Sequence, residues 1–285
     1  MQLPDQQVTT DEVKSWKGLH LLHFQGSSCS QKVRSFLGAK GIEYVSHHVN
    51  ILRDENATPW FVGINPRGVV PVLVHDGVVH IESNDIMAYL DTLPSSVPSF
   101  FPANADERRL VEASLHLEGS LHTDLRNITM EFLLPNRLVA KSSATLAAYR
   151  RSGPPDAARS AQIDWWRSFA ANGGISNLAV KDSLQAFRQA FDTLEERLAN
   201  RAWLIGNRMS VLEVAWFISV HRLSMAGYPL EDHSNLANHY KRLLEQDAFR
   251  REVETAPHAR LVMGAYGAYR RLRGTALRDF QASRA

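Results

Sequence analysis

Cysteine is almost absent from this sequence, which holds a single one, Cys29, among 285 residues. One thiol cannot form an intramolecular disulfide, and it cannot build a zinc site that needs several thiolates. A chain of this length can bury a sizeable apolar core without either device. The fold is therefore expected to depend on its hydrophobic core.

Long apolar runs and an excess of one charge are missing too. No stretch approaches the roughly 20 apolar residues that span a bilayer, and residues 1–18 are polar, unlike a secretory signal. The sequence thus predicts a cytoplasmic protein without a membrane partner. The formal net charge is only +2 and the basic residues form no tract, so we expect no nucleic-acid partner.

Metal-binding spacing is missing among the twelve histidines. Two helical ligands of one metal ion are usually four positions apart, which places them on one face. His116 and His122 are six positions apart, and so are His233 and His239, which puts the members of each pair on different faces. We expect no metal site.

The first part of the chain alternates between β-rich and helical stretches. The pair Asp76–Gly77 is a strong hairpin signal between two short strands. The predicted elements of the domain 17–94 are a strand in "LHLLHF", a helix from Gln31 to Lys40, a strand in "IEYVSHHV", strands in "PVLVHD" and "VVHI", and a helix from Ser83 to Leu93. Residues 1–16 are predicted to be an N-terminal extension, and the proline- and serine-rich residues 95–104 a linker.

The second part, residues 105–285, is predicted to be all helical. Apolar residues recur there at helical spacing, in the sets Leu110, Leu117, Leu121, Ile128, Phe132 and Val180, Leu184, Phe187, Phe191, Leu194, Leu198. Ser210 and Glu213 form a capping box before an almost wholly apolar helix. Residues 140–160 are predicted to be a mobile loop. The fold class is thus an α/β N-terminal domain followed by an all-α C-terminal domain.

The turn "GSSCS", residues 26–30, joins the first strand to the first helix. The start of a helix stabilises an anion through free N–H groups and the helix dipole, and a serine hydroxyl can donate one more hydrogen bond. Ser27 or Ser28 could serve in this way, or could simply cap the helix. The turn lacks the second glycine of G-x-S-x-G and the Gly-Lys-Ser/Thr of a P-loop, which excludes those two kinds of site.

Two further segments complete a candidate peptide site. Pro71 begins a strand, and a cis peptide bond after Val70 would leave the Val70 backbone free to pair with an extended peptide. Ser83 is predicted to cap the next helix and to hold a carboxylate on its N–H, while Glu82 accepts hydrogen bonds from an ammonium group. Together these residues predict a site for a small extended peptide with a carboxylate and an amine at one end and a thiol at the other.

These segments resemble the motifs of glutathione transferases. "SSCSQKVR" resembles the zeta-class signature "SSCSxRVR", a class that includes maleylacetoacetate isomerases, although Gln31–Lys32 replaces its Trp-Arg. "INPRGVVPVLVHDG", "IESNDIMAYLDT" and "WLIGNRMSVLEVAWF" resemble later motifs of the family in order and spacing. The resemblance covers about residues 20–93 and 203–220, and it implies a thioredoxin-like N-terminal domain followed by a helical bundle.

The resemblance also implies roles for particular residues. Ser27, or Ser28 if the register of the turn differs by one, hydrogen-bonds the glutathione sulfur. Cys29 lies two positions beyond the family's sulfur-contacting residue, so it is expected to be packed; the alternative is a thiol-disulfide reductase that uses Cys29. The implied glutathione-binding residues are Val70, Pro71, Glu82 and Ser83, with Arg53 and Arg67 as candidates for the glycyl carboxylate.

The function implied is activation of the glutathione thiol for attack on a small hydrophobic electrophile. Conjugation, isomerisation, dehalogenation and ether cleavage all remain open, as part of detoxification or aromatic compound catabolism. Glutathione is the co-substrate, no metal is needed, and a homodimer is expected. A binding protein that keeps the fold without catalysis is the alternative from another class.

Other candidates are expected to have structural roles. Trp165, Trp166 and Phe169 recur at helical spacing and are expected to be core residues, with a substrate pocket as the alternative. Tyr149 is expected to lie on the solvated surface, as are Arg126 and Arg137, with contact to a bound product as the alternative.

Overall fold

The computed structural model describes residues 1–280, which form two compact units. The first unit comprises Met1–Val97 and Ala140–Asn172, and the second comprises Pro98–Val139 and the chain from Gly173 onward. Residues 140–172 belong to the predicted helical domain 105–285, and in the structure they group with the sheet. A helix can join either part, because its sequence specifies an apolar face and not the surface that this face meets.

The first unit is built on a four-stranded sheet with the order β2-β1-β3-β4. Its strands are β1 (Leu19–His23), β2 (Val45–His48), β3 (Val72–His75) and β4 (Val78–His80). β1 is parallel to β2 and antiparallel to β3, and β3 is antiparallel to β4. Asp76 and Gly77 make the tight turn between β3 and β4, both with positive φ, as their sequence predicts.

Residues 1–280 contain thirteen α-helices: three lie in the part of the chain that holds the strands, and ten follow the linker. In chain order they are α1 (Ser28–Lys40), α2 (Pro59–Val62), α3 (Ser83–Asp91), α4 (Ala105–Ser120), α5 (His122–Phe132), α6 (Asn136–Val139), α7 (Ser143–Arg151), α8 (Ala157–Asn172), α9 (Asn177–Leu198), α10 (Val211–Ala226), α11 (Ser234–Leu244), α12 (Asp247–Val253) and α13 (Pro257–Leu272). An α/β N-terminal part and an otherwise helical chain are thus confirmed. In the residues that the structure describes, none of these helices is long and apolar enough to cross a membrane.

Two helix predictions need correction. α1 begins at Ser28, three positions before the predicted start, because Ser27 caps it. The predicted mobile loop 140–160 is wrong, since α7 and the start of α8 occupy most of it. The serine- and arginine-rich composition of this segment suggests a loop, but the caps at its helix starts and its packing against the sheet unit stabilise helices instead.

The N-terminal extension is part of the core of the first unit. Leu3, Val8 and Val13 are buried in the same cluster as Phe61 and Val72. The backbone N–H of Leu3 donates to the carbonyl of Val79 at 2.9 Å, which attaches the extension to the edge of β4. Residues 1–16 are predicted to lie outside the domain because most of them are polar. The three buried apolar residues are too far apart in sequence to form a recognisable pattern.

The second unit is a helical assembly with α10 at its centre. The apolar residues predicted on α9 are all buried, and Ser210 and Glu213 form the predicted capping box at the start of α10. On α4 the prediction is wrong for Leu110 and Leu117, which are exposed, while Val111 and its helical neighbours Ser114, Leu115 and Glu118 are buried. Leucine spacing alone predicts the wrong face of α4, because polar residues occupy part of the buried face.

Buried histidines should make stability depend on pH. Burial lowers the pKa of His23, His80, His221 and His239 from 6.5 to about 4. The unfolded chain therefore binds more protons than the folded chain between pH 6.5 and about 4. Stability should be fully present above pH 6.5 and should fall as the pH drops through this range.

Urea denaturation between about pH 7.5 and about pH 5 measures this effect. We expect the midpoint to fall below pH 6.5, with proton uptake on unfolding that exceeds one proton per chain. A midpoint that stays constant down to about pH 5 would contradict it.

Candidate functional site

The strand register places four segments at one end of the sheet. Leu22 pairs with Val72 and Leu73 pairs with His80, so the end of β1, the start of β3 and the end of β4 are neighbours. His23 pairs with His48, which brings the end of the parallel strand β2 to the same edge. The segments that follow or precede these ends are residues 24–28, 49–54, 68–71 and 81–83. The candidate site residues of the sheet unit all lie in or beside these segments.

Ser27 is the N-cap of α1, and its hydroxyl oxygen accepts a hydrogen bond from the Ser30 N–H at 3.3 Å. Across residues 1–280 the structure assigns no acceptor to the hydrogen of this hydroxyl, so Ser27 can cap the helix and still donate to a ligand. The two roles predicted for Ser27, capping the helix and donating to a bound anion, are therefore compatible. Its side chain is half-exposed, as a ligand-contacting group requires.

Ser28 and Cys29 are the first two residues of α1, and both are half-exposed. Successive helical side chains differ by about 100° in direction around the axis, so Ser28 and Cys29 point in different directions. Cys29 lies inside the first helical turn, as its position in the motif predicts.

Arg34 holds the turn before Ser27 from inside the fold. It is buried and donates to the carbonyls of Phe24 and Gln25, both at 3.3 Å. The same guanidinium approaches Nδ1 of His23 at 3.0 Å, and burial together with Arg34 lowers the pKa of His23 to about 4. A neutral His23 can accept this bond from Arg34, so the turn is supported without a second buried positive charge. No role in the site is predicted for either residue from the sequence alone.

Val70 lies two positions before β3, and the Val70–Pro71 peptide bond is cis, as predicted. In the part of the chain that the structure describes, no hydrogen bond engages the backbone N–H or the carbonyl of Val70. The neighbouring carbonyls are occupied, since Asn65 Nδ2 donates to Val69 and Asn56 Nδ2 donates to Gly68, each at 2.8 Å. The Val70 backbone is thus open for pairing with an extended ligand.

The start of α3 has no side-chain cap. Glu82 is its N-cap residue with φ of 65°, and its side chain makes no capping bond. Ser83 is therefore the first helical residue and not the cap, which corrects the prediction. The positive end of the α3 dipole and the buried Ser83 can together receive a carboxylate.

Arg67 pairs with the carboxylate of Glu82. The sequence analysis considers Arg67 for the glycyl carboxylate, but this ion pair places it beside the start of α3. Arg53 ends a short 3-10 helix, Ile51–Arg53, after β2, and its side chain is exposed. The site therefore has an acidic and a basic group together at one end and an exposed arginine on a separate segment.

No cluster of three or more histidine, cysteine or acidic side chains that could hold a metal ion occurs among residues 1–280. In the sheet unit the ring nitrogens of His20 and His47 lie 2.9 Å apart, and both rings stack with Trp16. This contact is a hydrogen bond within an aromatic stack.

The comparison with known families agrees with this geometry. Residues 26–93 match the family model of the glutathione S-transferase N-terminal domain, and residues 157–242 match that of the C-terminal domain. The chain belongs to the glutathione S-transferase superfamily. The two matches together span more than half of the chain, and the first contains the turn, the cis peptide bond and the start of α3.

Individual relatives match different shares of the chain. The chain is 41% identical over 91 residues to the protein LigF of Sphingobium sp., which covers 32% of this chain and 35% of LigF. It is 35% identical over 107 residues to maleylacetoacetate isomerase of Mus musculus, covering 36% of this chain and 49% of the isomerase. The crystal structure of the beta-etherase LigF from Sphingobium sp. strain SYK-6 superposes with a TM-score of 0.72 at 24% identity, covering 84% of this chain and 99% of LigF. The thioredoxin-like fold with a helical domain is thus confirmed.

Proposed function

We propose that this protein activates the thiol of glutathione for attack on a small hydrophobic electrophile. One observation carries the proposal: a free hydroxyl hydrogen on Ser27, an unbonded Val70 backbone and an uncapped helix start at Ser83 lie at the same end of the sheet. They match, in order, the thiol, the cysteinyl backbone and the γ-glutamyl carboxylate of glutathione. Membership in the glutathione S-transferase superfamily supports the same ligand.

Ser27 stabilises the thiolate in this proposal. Its O–H donates to the sulfur, and the N-terminus of α1 adds the positive end of a helix dipole. Both effects lower the pKa of the bound thiol from the free value of about 8.5 and raise the thiolate fraction at neutral pH. Ser28 takes this role if the ligand sits one position further along the turn.

Glu82 and Arg67 bind the two charges of the γ-glutamyl end. The Glu82 carboxylate accepts hydrogen bonds from the ammonium group, while Arg67 and the start of α3 at Ser83 receive the α-carboxylate. The ion pair between Glu82 and Arg67 supports these two roles, since it places one negative and one positive side chain together at the start of α3. Arg53 is left as the candidate for the glycyl carboxylate.

The reaction we propose is cleavage of an ether. The thiolate attacks the carbon that carries the ether oxygen, a C–S bond forms as the C–O bond breaks, and the departing oxygen takes a proton from solvent. The products are a glutathione thioether and an alcohol or phenol. The similarity to LigF, described as a beta-etherase, supports this reaction, and the similarity to maleylacetoacetate isomerase supports isomerisation as the second candidate.

Two assays with glutathione distinguish the candidates. An aryl ether with a 4-nitrophenol leaving group reports cleavage, and a cis-alkene diketone reports isomerisation without consumption of glutathione. We expect 4-nitrophenol and the thioether in equal amounts. A mixed disulfide between Cys29 and glutathione, with neither product, would instead identify a thiol-disulfide reductase, and retention of glutathione without turnover would identify a binding protein.

Loss of the charge on Glu82 should weaken glutathione binding. Removal of a charge-assisted hydrogen bond costs roughly 1–3 kcal/mol, which raises Kd by about 5- to 150-fold. We expect Glu82→Gln and Ser83→Ala to fold normally and to show this loss in isothermal titration calorimetry. Asp76→Asn is the matched control, because Asp76 is also an acidic residue with positive φ but lies in the turn at the opposite end of the sheet. Equal affinities for all three variants would place the γ-glutamyl end elsewhere.

We further propose that the protein acts in the cytoplasm as a homodimer. The superfamily assignment supports the dimer, and light scattering of the purified chain tests it.

A further inference from the structure

Residues 140–172 carry three donor side chains that reach the loops of the candidate site. Tyr149 and Arg159 are 1% and 2% exposed, and Lys141 is largely buried. All three belong to the same compact unit as the sheet. The burial of Tyr149 corrects the expectation that it lies on the solvated surface.

Tyr149 and Arg159 bind consecutive carbonyls of the loop before Val70. The Tyr149 hydroxyl lies 2.8 Å from the Gly68 carbonyl oxygen and 3.1 Å from that of Arg67. Arg159 Nη1 donates to the Pro66 carbonyl at 2.5 Å, and Nη2 donates to the carbonyl of Gly153 at 3.0 Å in its own segment. The guanidinium of Arg159 thus ties the loop to residues 153–159.

Gly68 makes the close approach of Tyr149 possible. Its φ is +63°, and a Cβ added there would lie 2.2 Å from the Tyr149 hydroxyl oxygen. The two residues are therefore fitted to each other by shape as well as by the hydrogen bond. Asn56 donates to the same Gly68 carbonyl, which links this loop to residues 55–57.

Lys141 holds the second loop. Its ammonium group donates to the Ile51 carbonyl at 3.2 Å and pairs with the carboxylate of Asp54, and it lies 5.3 Å from the centre of the Trp166 ring. Residues 51–54 follow β2 at the edge of the sheet where the other site segments meet. Trp166 is buried, as expected for a core residue, and its contact with Lys141 connects α8 to this loop.

These bonds matter because residues 64–71 have no strand or helix to hold them. The loop makes one internal backbone bond beyond its first turn, from the Gly68 N–H to the Asn65 carbonyl at 2.8 Å. A segment with so few ladder bonds takes its conformation from side-chain donors. Here the donors bind the carbonyls of residues 66–69 and leave the Val70 backbone open.

We infer that Lys141, Tyr149 and Arg159 are positioning residues that hold the 51–54 and 66–70 loops in the conformation that binds glutathione. The inference rests on the proposed function. A loop that is already ordered does not lose conformational entropy when the ligand binds, which improves affinity without a new contact to the ligand. None of the three residues touches the Ser27 turn in this role. Their loss should therefore raise Kd and KM for glutathione and leave kcat at saturation nearly unchanged.

Tyr149→Phe is the main test, with Tyr240→Phe as the matched control. Tyr240 also hydrogen-bonds through its hydroxyl, to Nδ1 of His221 at 2.7 Å, but it lies in the other unit. We expect Tyr149→Phe to raise Kd and KM for glutathione about 3- to 10-fold, with kcat within about twofold of the wild type, and Tyr240→Phe to leave all three unchanged. Lys141→Gln should act in the same direction through the other loop.

Amide hydrogen exchange gives a second measurement that does not depend on glutathione. The Arg67 and Gly68 amides are hydrogen-bonded within the loop, and Tyr149→Phe should increase their exchange rates more than Tyr240→Phe does. The inference would be overturned if the wild type binds glutathione and Tyr149→Phe has the same Kd and the same exchange rates as the wild type. Failure of the wild type to bind glutathione would overturn the proposed function instead. Exchange at Arg67 and Gly68 then decides the inference: faster exchange supports the positioning of the loop, and unchanged exchange overturns it.

Discussion

Ser27→Ala should raise the pKa of the thiol of bound glutathione by about 1–2 units and slow turnover at neutral pH by about 10- to 100-fold. The hydroxyl hydrogen of Ser27 is free to donate, and a bond to an anionic sulfur is among the stronger hydrogen bonds of a protein. The variant also removes the cap of α1, which costs about 1 kcal/mol of stability. The raised thiol pKa and the lost stability both follow from removal of the Ser27 hydroxyl, but only the lost hydrogen bond to sulfur changes the pKa of the thiol.

Ultraviolet titration of the thiolate in the bound complex separates these effects. Ser28→Ala and Cys29→Ala are the controls, since these residues are the next two in α1 and share its half-exposed first turn. We expect both to keep the wild-type pKa of bound glutathione and most of the turnover. If the pKa rises only in Ser28→Ala, the two serines exchange roles. Loss of turnover in Cys29→Ala alone, with a mixed disulfide detected by mass spectrometry, would contradict the assignment of Ser27.

Glu213→Ala should destabilise the helical unit by about 3–5 kcal/mol. Glu213 is fully buried and accepts bonds from the backbone N–H groups of Leu204 and Ser210, each at 2.7 Å, and from the Ser210 hydroxyl. Alanine would leave two buried N–H groups without partners at the start of the central helix. Burial raises the pKa of Glu213, so glutamine, which is neutral and keeps one acceptor, should retain part of the stability.

Chemical denaturation of Glu213→Ala, Glu213→Gln and Glu107→Ala measures this difference. Glu107 occupies the third position of α4, as Glu213 does in α10, but its side chain is partly exposed. We expect a loss within about 0.5 kcal/mol for Glu107→Ala. Equal losses at both positions would show that the buried carboxylate contributes no more than an ordinary residue of a first turn.

Much of the fold follows from local sequence patterns. The Asp76–Gly77 turn, the alternation around it and the capping box at Ser210 and Glu213 each specify their structure within a few residues. The apolar spacing of α9 likewise predicts its buried face, because one helix buries one stripe. Where apolar and polar residues share the buried face, as on α4, apolar spacing predicts the wrong residues, the exposed Leu110 and Leu117.

The candidate site could be predicted from sequence only in part. The motifs locate the Ser27 turn, the cis bond before Pro71 and the start of α3, since each depends on neighbouring residues. The ion pair of Arg67 with Glu82 was not predictable, because fifteen positions separate them and no local pattern links their side chains.

By itself, the sequence determined the sheet unit's motifs, the helical nature of the rest and the superfamily to which the chain belongs. Only the tertiary structure decided that residues 140–172 pack with the sheet unit and that Tyr149 binds the Gly68 carbonyl, 81 positions away. The physical reason is the range of the interactions. Caps, turns and helical periodicity act between residues a few positions apart, whereas the partner of a buried donor is chosen by whichever carbonyl the folded chain brings within hydrogen-bond distance.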